Sequence, residues 1–161
     1  MMTLSKEGEA LIKSFEGLRL SAYRDSAGIW TIGYGSTRYH DGRAVKPGDK
    51  LATQLQADTL FKNTLGQYIN AVNNFVRVVL TPSQFDALVS ITYNIGIYGL
   101  QKSTLLKKLN LGDYIGAADQ FLMWNKVTNA VTGEKVALDA LTKRRVRERQ
   151  LFISTQNKPQ P

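Results

Sequence analysis

The hydrophobic pattern of the sequence changes near residue 48, and this change limits the folds open to the chain. Between residues 18 and 46, short runs rich in aromatic and β-branched residues are separated by glycines, as in "GIWTIGYG". Strands joined by tight turns have this pattern. Most of the remaining chain has apolar residues at helical spacing. We therefore expect an α+β protein, mainly helical, with a small three-stranded antiparallel sheet.

Turn and capping residues predict where these elements begin and end. Gly28 in "RDSAGIW" lies where a hairpin turn needs positive φ, and Asp41-Gly42 is a typical hairpin dipeptide. Thr81, followed by proline and then by Gln84, predicts a capped helix start. Further helices are predicted at 5–17, 53–75, 103–110, 113–126 and 139–153, with "TNAVTGEK" as a loop.

These elements predict one domain with two lobes. A small sheet lobe covers about 14–52, a connecting helix about 53–75, and a helical lobe about 76–154 together with the N-terminal helix. Residues 155–161 form a polar tail. A chain of 161 residues with 43% hydrophobic composition is large enough for such a core.

Composition excludes several kinds of site. The chain has no cysteine and one histidine, which excludes disulfides, thiolate chemistry and paired-histidine metal sites. No apolar run approaches the roughly 18 residues of a membrane span. The N-terminus also lacks the apolar core of a secretory signal. A net charge of +8 favours a polyanionic partner: nucleic acid, an anionic membrane or a cell-wall polymer.

Three nearby side chains form a candidate catalytic group. Glu16 ends the first helix at the edge of its apolar stripe, a partly desolvated position that suits a general acid. Asp25 precedes the hairpin turn, and the hairpin returns Thr31 towards it. Two carboxylates in different environments are the equipment of glycoside hydrolysis. Each residue also has an ordinary explanation: a surface ion pair for Glu16, a turn hydrogen bond for Asp25 and strand propensity for Thr31.

The spacing of these residues resembles the catalytic signature of the phage-type lysozymes, glycoside hydrolase family 24. Eight residues separate Glu16 from Asp25, and five separate Asp25 from Thr31. Segments similar to the family extend from about residue 5 to residue 153, in the family's order. They are "EGLRLSAYRD", "GIWTIGYGST", "LTPSQFDALVSITYNIG", "STLLKKLNLGDYIGAADQF" and "TKRRVRERQLF". Between Trp124 and the last helix the sequence departs from the glycine-rich segment expected of the family.

The resemblance implies a lysozyme-like fold with a substrate cleft between two lobes. It implies a muramidase that hydrolyses the β-1,4 bond between N-acetylmuramic acid and N-acetylglucosamine in peptidoglycan and lyses the host cell. Glu16 would be the acid, and Asp25 with Thr31 would present water in an inverting reaction. No cofactor and no metal are implied. The implied substrate-binding residues are Tyr34, Thr37, Tyr93 and Asn94, and the candidates for orienting Glu16 are Arg144 and Arg145.

Other functions stay open on the sequence alone. A lytic transglycosylase needs one glutamate and no activated water, so Asp25 and Thr31 argue against it. A non-catalytic wall-binding module would not need the three residues. A nucleic-acid binder is disfavoured because no helix combines clustered basic and base-reading residues. We expect a monomer that binds bacterial peptidoglycan and no nucleic acid.

The last helix carries a basic cluster with two explanations. Its members are Lys143, Arg144, Arg145, Arg147 and Arg149. The cluster either contacts anionic wall polymers or outer-membrane phosphates, or forms the solvated side of a docked helix. Because no signal or anchor segment is recognised, the resemblance implies accumulation in the host cytoplasm. A separate membrane-permeabilising protein would then release the enzyme to the periplasm or cell wall.

Overall fold

The structure is a computed structural model that describes residues 1–154, and the chain divides into two compact units. Unit 1 contains Met1–Glu9 and the chain from Tyr68 onwards, and unit 2 contains Ala10–Gln67. The predicted polar tail, 155–161, lies outside the described residues. The helices are α1 Lys6–Glu16, α2 Gln54–Phe75, α3 Pro82–Ile95, α4 Ile97–Lys102, α5 Thr104–Asn110, α6 Tyr114–Phe121 and α7 Asp139–Phe152. The strands are β1 Arg19–Arg24, β2 Trp30–Gly33, β3 Lys126–Thr128 and β4 Lys135–Ala137.

Capping residues determine where α2 and α3 start. At α3 the Thr81 hydroxyl accepts a hydrogen bond from the Gln84 amide at 3.0 Å, and the Gln84 side chain accepts from the Thr81 amide at 2.9 Å. This reciprocal pair is the capping box that the sequence predicts. At α2 the Thr53 hydroxyl accepts from the Gln56 amide, but the Gln56 side chain accepts from the Ala52 amide instead. Both helices start within one residue of the predicted cap.

The sheet of unit 2 has two strands, which corrects the predicted three. β1 pairs with β2 antiparallel. β2 ends at Gly33, where φ is 69°, and the chain folds back so that Ile32 and Ser36 exchange two backbone hydrogen bonds. The following turn has an isolated bridge between Arg38 and Ala44, and the Tyr39 and Val45 amides donate to the Arg43 and Thr37 carbonyls. The tight turns leave segments too short for a third ladder.

The core of unit 2 joins β2 to the first half of α2. Ile32, Val45 and Leu60 are buried together in one apolar cluster. Partly buried side chains pack against that cluster, namely those of Ala22, Trp30, Tyr39 and Leu51. Burial of these side chains stabilises the sheet, since a two-stranded hairpin is marginal on its own in water.

Unit 1 is organised around α3, which packs against α7. In the same unit α5 packs against α6. Asp86 on α3 is 4% exposed, and its carboxylate accepts hydrogen bonds from both the backbone amide and the hydroxyl of Ser5. The Ser5 hydroxyl in turn accepts from the Gly8 amide at 3.0 Å, which caps α1. Asp86 therefore holds the first turn of α1.

The segment predicted as the loop "TNAVTGEK" is the loop of a hairpin, and only its first and last residues belong to strands. β3 and β4 pair antiparallel, with Val127 opposite Val136. Between them the Asn129 side chain accepts hydrogen bonds from the amides of Val131 and Thr132. Such an Asx turn reverses the chain locally. The preceding helix α6 ends at Phe121, earlier than the predicted 126.

Within residues 1–154, no helix combines the length and the apolar character that crossing a membrane requires.

Two helical glycines give a matched test of the packing around Asp86. A Cβ atom built on Gly8 would lie 2.6 Å from the Asp86 carboxyl carbon, whereas one built on Gly66 in α2 meets no atom within 4 Å. We expect Gly8→Ala to lower the free energy of unfolding by about 1–3 kcal/mol through overpacking. Gly66→Ala should raise it by about 0.5–1 kcal/mol, because alanine favours the helix. Urea unfolding measures both, and shifts of the same sign would contradict this account.

Candidate active site

Glu16 is the last residue of α1, and the turn that carries it is anchored within unit 2. Ile12 is fully buried one turn earlier. The Lys13 ammonium pairs with the Asp58 carboxylate on α2 at 2.9 Å and lies 4.9 Å from the centre of the Tyr34 ring. The hydrogen bond from Lys13 lowers the pKa of the Asp58 carboxyl. These contacts fix the backbone from which the half-buried Glu16 side chain projects.

Asp25 closes the turn between β1 and β2. Its Oδ1 atom accepts hydrogen bonds of 2.9 Å from the amides of both Ala27 and Ile29. Gly28 has φ 81° and supplies the left-handed conformation that the turn needs. No hydrogen bond from a described residue reaches Oδ2. The ordinary explanation of Asp25 is therefore correct for one oxygen, while the other remains able to bind water.

Thr31 lies on β2, beside this turn, and is 3% exposed. Its hydroxyl donates to the Ile29 carbonyl at 2.9 Å. A hydroxyl has one hydrogen and two lone pairs. Because the hydrogen is already used, the Thr31 oxygen acts towards a water as an acceptor.

The hairpin brings Asp25 and Thr31 to one face, as the sequence predicts. Tyr23 is opposite Thr31 in the strand register, and the Asp25 amide bonds to the Ile29 carbonyl. Directly opposite residues share a face of an antiparallel pair, and so do residues two apart on one strand. Tyr23, Asp25 and Thr31 consequently form one surface, which we call the catalytic face. Among residues 1–154, no group of three acidic, histidine or cysteine side chains is placed to hold a metal ion.

Tyr23 is a member of this face that the sequence interpretation overlooked. The Arg19 guanidinium stacks over its ring, 4.6 Å from the ring centre. Burial raises the pKa of the Tyr23 phenol, and the negative charges of Glu16 and Asp25 raise it further, while Arg19 opposes them. The charges of both candidate carboxylates therefore act on the phenol. The signal in the sequence was its position two residues before Asp25 on a strand.

The two predicted substrate-binding residues of unit 2 have different environments. Tyr34 is 5% exposed and packs on Phe61, with ring centres 5.3 Å apart. Its ring therefore belongs to the core of unit 2. Thr37 is exposed, and its carbonyl accepts a hydrogen bond from the Val45 amide. Substrate contact by either residue stays a prediction.

In unit 1 the predicted residues Tyr93 and Asn94 are adjacent but differ in exposure. Tyr93 is buried and packs on Tyr68, with ring centres 4.9 Å apart. Asn94 is exposed, and its side-chain oxygen accepts a hydrogen bond from Arg145. Asn94 is thus accessible from solvent, whereas the Tyr93 ring is largely part of the core. Their contact with substrate also stays a prediction.

Arg144 and Arg145 are buried, which corrects the expectation of a solvated basic face for this pair. Both form ion pairs at 3.3 Å with Glu148, which is itself 0% exposed. Arg144 also donates to the Ser90 carbonyl. The two arginines thus balance a buried carboxylate, as a buried charge requires. Their proposed role in orienting Glu16 stays a prediction.

The remaining basic residues of the α7 cluster also leave little exposed positive charge. Arg149 pairs with Asp119 on α6 at 2.8 Å. Lys143 and Arg147 are the members of the cluster that are exposed. This placement favours a docked helix with a small basic side over an extended polyanion-binding surface.

Comparison with known proteins gives consistent matches. Residues 13–148 match the family described as phage lysozyme. The endolysin of Acyrthosiphon pisum secondary endosymbiont phage 1 is 44% identical over 153 residues, which cover 95% of this chain and 99% of the relative. The endolysin of Salmonella phage P22 is 42% identical, covering 96% and 100%. The solved endolysin from Escherichia coli O157:H7 phage FAHEc1 has a TM-score of 0.87 and 44% identity, covering 98% of each chain.

The two hydrogen bonds accepted by Asp25 predict a contrast between two substitutions. Asp25→Ala removes the acceptor and should lower the free energy of unfolding by about 1–2 kcal/mol. Asp25→Asn keeps an oxygen that can accept from both amides, so its stability should stay within about 0.5 kcal/mol of the wild type. Urea unfolding of the two variants checks this. An equal loss in both would show that the turn does not depend on these bonds.

Proposed function

The chain belongs to the phage lysozyme family, and from that membership we propose a division of labour among Glu16, Asp25 and Thr31. The protein is an endolysin-type muramidase, a glycosidase that hydrolyses peptidoglycan and lyses the bacterial cell wall. We propose that it cleaves the β-1,4 bond between N-acetylmuramic acid and N-acetylglucosamine by a single displacement. Glu16 acts as the acid, and Asp25 with Thr31 presents the attacking water.

The position of Glu16 supports its role as proton donor. The carboxyl is half-buried at the end of a helix turn that Ile12 and the Lys13–Asp58 pair hold in place. A general acid must be held within hydrogen-bond reach of the leaving oxygen, and a fixed backbone limits how far it strays. Glu16 protonates the glycosidic oxygen as the bond to the anomeric carbon breaks, and becomes a carboxylate.

The observation that carries the proposal is the pair of acceptors on the catalytic face. The Oδ1 atom of Asp25 accepts hydrogen bonds in the turn, and its Oδ2 atom is able to accept one from water. The Thr31 hydroxyl donates its hydrogen to the Ile29 carbonyl, so its oxygen can also accept one. A water that donates one hydrogen to each acceptor has a lone pair left for the anomeric carbon. Asp25 then takes the proton that the water loses on attack.

This arrangement favours inversion over retention. In a retaining glycosidase the second carboxylate attacks the sugar directly, and an inverting enzyme leaves room for a water between carboxylate and sugar. The Thr31 hydroxyl holds a water usefully but contributes nothing to direct attack by Asp25. A lytic transglycosylase needs no attacking water at all, so the same pair of acceptors argues against that reaction.

The route to the wall is a separate proposal that rests on family membership alone. We propose that the enzyme accumulates in the host cytoplasm and that a separate membrane-permeabilising protein releases it. It then acts on peptidoglycan as a monomer. Any contact with anionic wall polymers through α7 would depend mainly on Lys143 and Arg147, the exposed members of the basic cluster.

Glu16→Gln tests the assignment of the acid. Glutamine keeps the shape of the side chain but cannot donate the required proton. We expect the rate of wall lysis to fall by roughly a hundred- to ten-thousand-fold, the usual contribution of general acid catalysis. The unfolding midpoint should be close to that of the wild type. Turbidity loss of purified sacculi measures lysis, and near-normal lysis by the variant would remove Glu16 from the chemistry.

The configuration of the product tests the single displacement. Water that attacks the face opposite the leaving group converts the β linkage into an α anomer. Proton NMR of a cleaved wall oligosaccharide, recorded before mutarotation, should therefore show the α reducing end first. An initial β product would exclude inversion. Products with 1,6-anhydro ends, detected by mass analysis, would instead show the transglycosylase reaction.

A further inference from the structure

Tyr23 lies on the catalytic face, yet the reaction described above assigns it no task. It stands directly opposite Thr31 in the strand register and two residues before Asp25. Both relationships direct its side chain to the same surface as the water-binding pair. Its ring is also held in place, since the Arg19 guanidinium lies 4.6 Å from the ring centre. A cation over an aromatic face is attractive and limits the motion of the ring.

The hydroxyl of Tyr23 is a neutral donor that the fold has not used. No hydrogen bond joins it to any residue that the structure describes. The charged groups that act on the phenol are Glu16 on α1 together with Arg19 and Asp25 on the hairpin. Burial and the two carboxylates raise the pKa of the phenol above its ordinary value, so the hydroxyl keeps its proton at neutral pH.

The position of the Tyr23 phenol relative to the proposed acid and base indicates which part of the substrate it contacts. In an inverting glycosidase the two carboxylates stand on opposite sides of the attacked anomeric carbon. Tyr23 shares a face with Asp25 and Thr31, so its hydroxyl is directed towards the sugar that their water would attack. The attacking water is a poorer partner for Tyr23, because a hydrogen bond donated to the water oxygen would make that oxygen less nucleophilic.

We propose that Tyr23 is a further catalytic residue, whose hydroxyl donates a hydrogen bond to an oxygen of the sugar that carries the attacked anomeric carbon. This assignment rests on the proposed roles of Glu16 and Asp25. The sugar ring distorts and gains positive charge as the bond breaks, and hydrogen bonds to its substituents strengthen at that stage. An interaction that is stronger in the transition state than in the bound substrate raises kcat and leaves KM nearly unchanged.

Tyr23→Phe removes only the hydroxyl and keeps the ring beneath Arg19. We expect kcat on a soluble wall oligosaccharide to fall about tenfold, the effect of one neutral hydrogen bond, with KM within about twofold of the wild type. Tyr39→Phe is a matched control in the same unit. It deletes a tyrosine–carboxylate hydrogen bond, from Tyr39 to Asp49 at 2.6 Å, in the turn that follows the sheet. Its kcat should equal that of the wild type.

A second substitution keeps the proposal testable if Tyr23→Phe folds poorly. Replacing Tyr23 by 3,5-difluorotyrosine preserves the hydroxyl and lowers the pKa of the phenol. The rate should then be close to normal at low pH, with an added loss as the pH rises through the lowered phenol pKa. A residue with a purely structural role would leave the pH profile unchanged.

The outcomes separate this assignment from the proposed function. If Glu16→Gln loses activity while Tyr23→Phe keeps a kcat within about twofold of the wild type, only the role of Tyr23 is overturned. Equal losses in Tyr23→Phe and Tyr39→Phe would overturn it as well. Near-normal activity of Glu16→Gln would instead overturn the proposed acid on which the assignment rests.

Discussion

The pairing of β1 with β2, closed by the Asp25 carboxylate, is the constraint on which the active site depends. One oxygen of Asp25 binds two amides of the turn, and this holds the register that sets Thr31 opposite Tyr23. A shift of one residue would turn every side chain of the strand to the other face. The same carboxylate thus builds the turn with one oxygen and, in the proposed reaction, serves the water with the other.

The two ends of helix α1 are held by different groups. The contacts that stabilise the helix therefore also position Glu16, the proposed acid. In unit 1 the buried Asp86 carboxylate binds Ser5 at the start of the helix. In unit 2 the burial of Ile12 and the ion pair between Lys13 and Asp58 fix the turn that ends at Glu16. A helix of eleven residues is marginal in isolation. Tertiary contacts at both ends therefore determine where the Glu16 carboxyl projects.

Some of the positive charges of the protein form ion pairs that hold the structure together, and the net charge does not show this. Of the basic residues on α7, Arg144 and Arg145 balance the buried Glu148, and Arg149 pairs with Asp119. Removing one member of a buried ion pair leaves an uncompensated charge, so Arg144 and Arg145 are constrained by the core of unit 1. The surplus of positive charge remains an argument for an anionic substrate. It does not by itself make α7 a binding surface.

The sequence alone determined the features that depend on residues close together in the chain. The capping box at Thr81, the positive φ of Gly28 and the spacing from Glu16 to Asp25 could all be recognised there, and with them the α+β class and the family. Caps and turns are made by hydrogen bonds that span about four residues, so local sequence is enough to predict them.

Only the tertiary structure decided the features that depend on distant residues. It replaced the third strand with short turns, formed the hairpin of β3 and β4, and buried Tyr34 and Arg145. Strand register and burial result from packing between segments far apart in the chain, and a pattern along one segment does not show which partner it will meet.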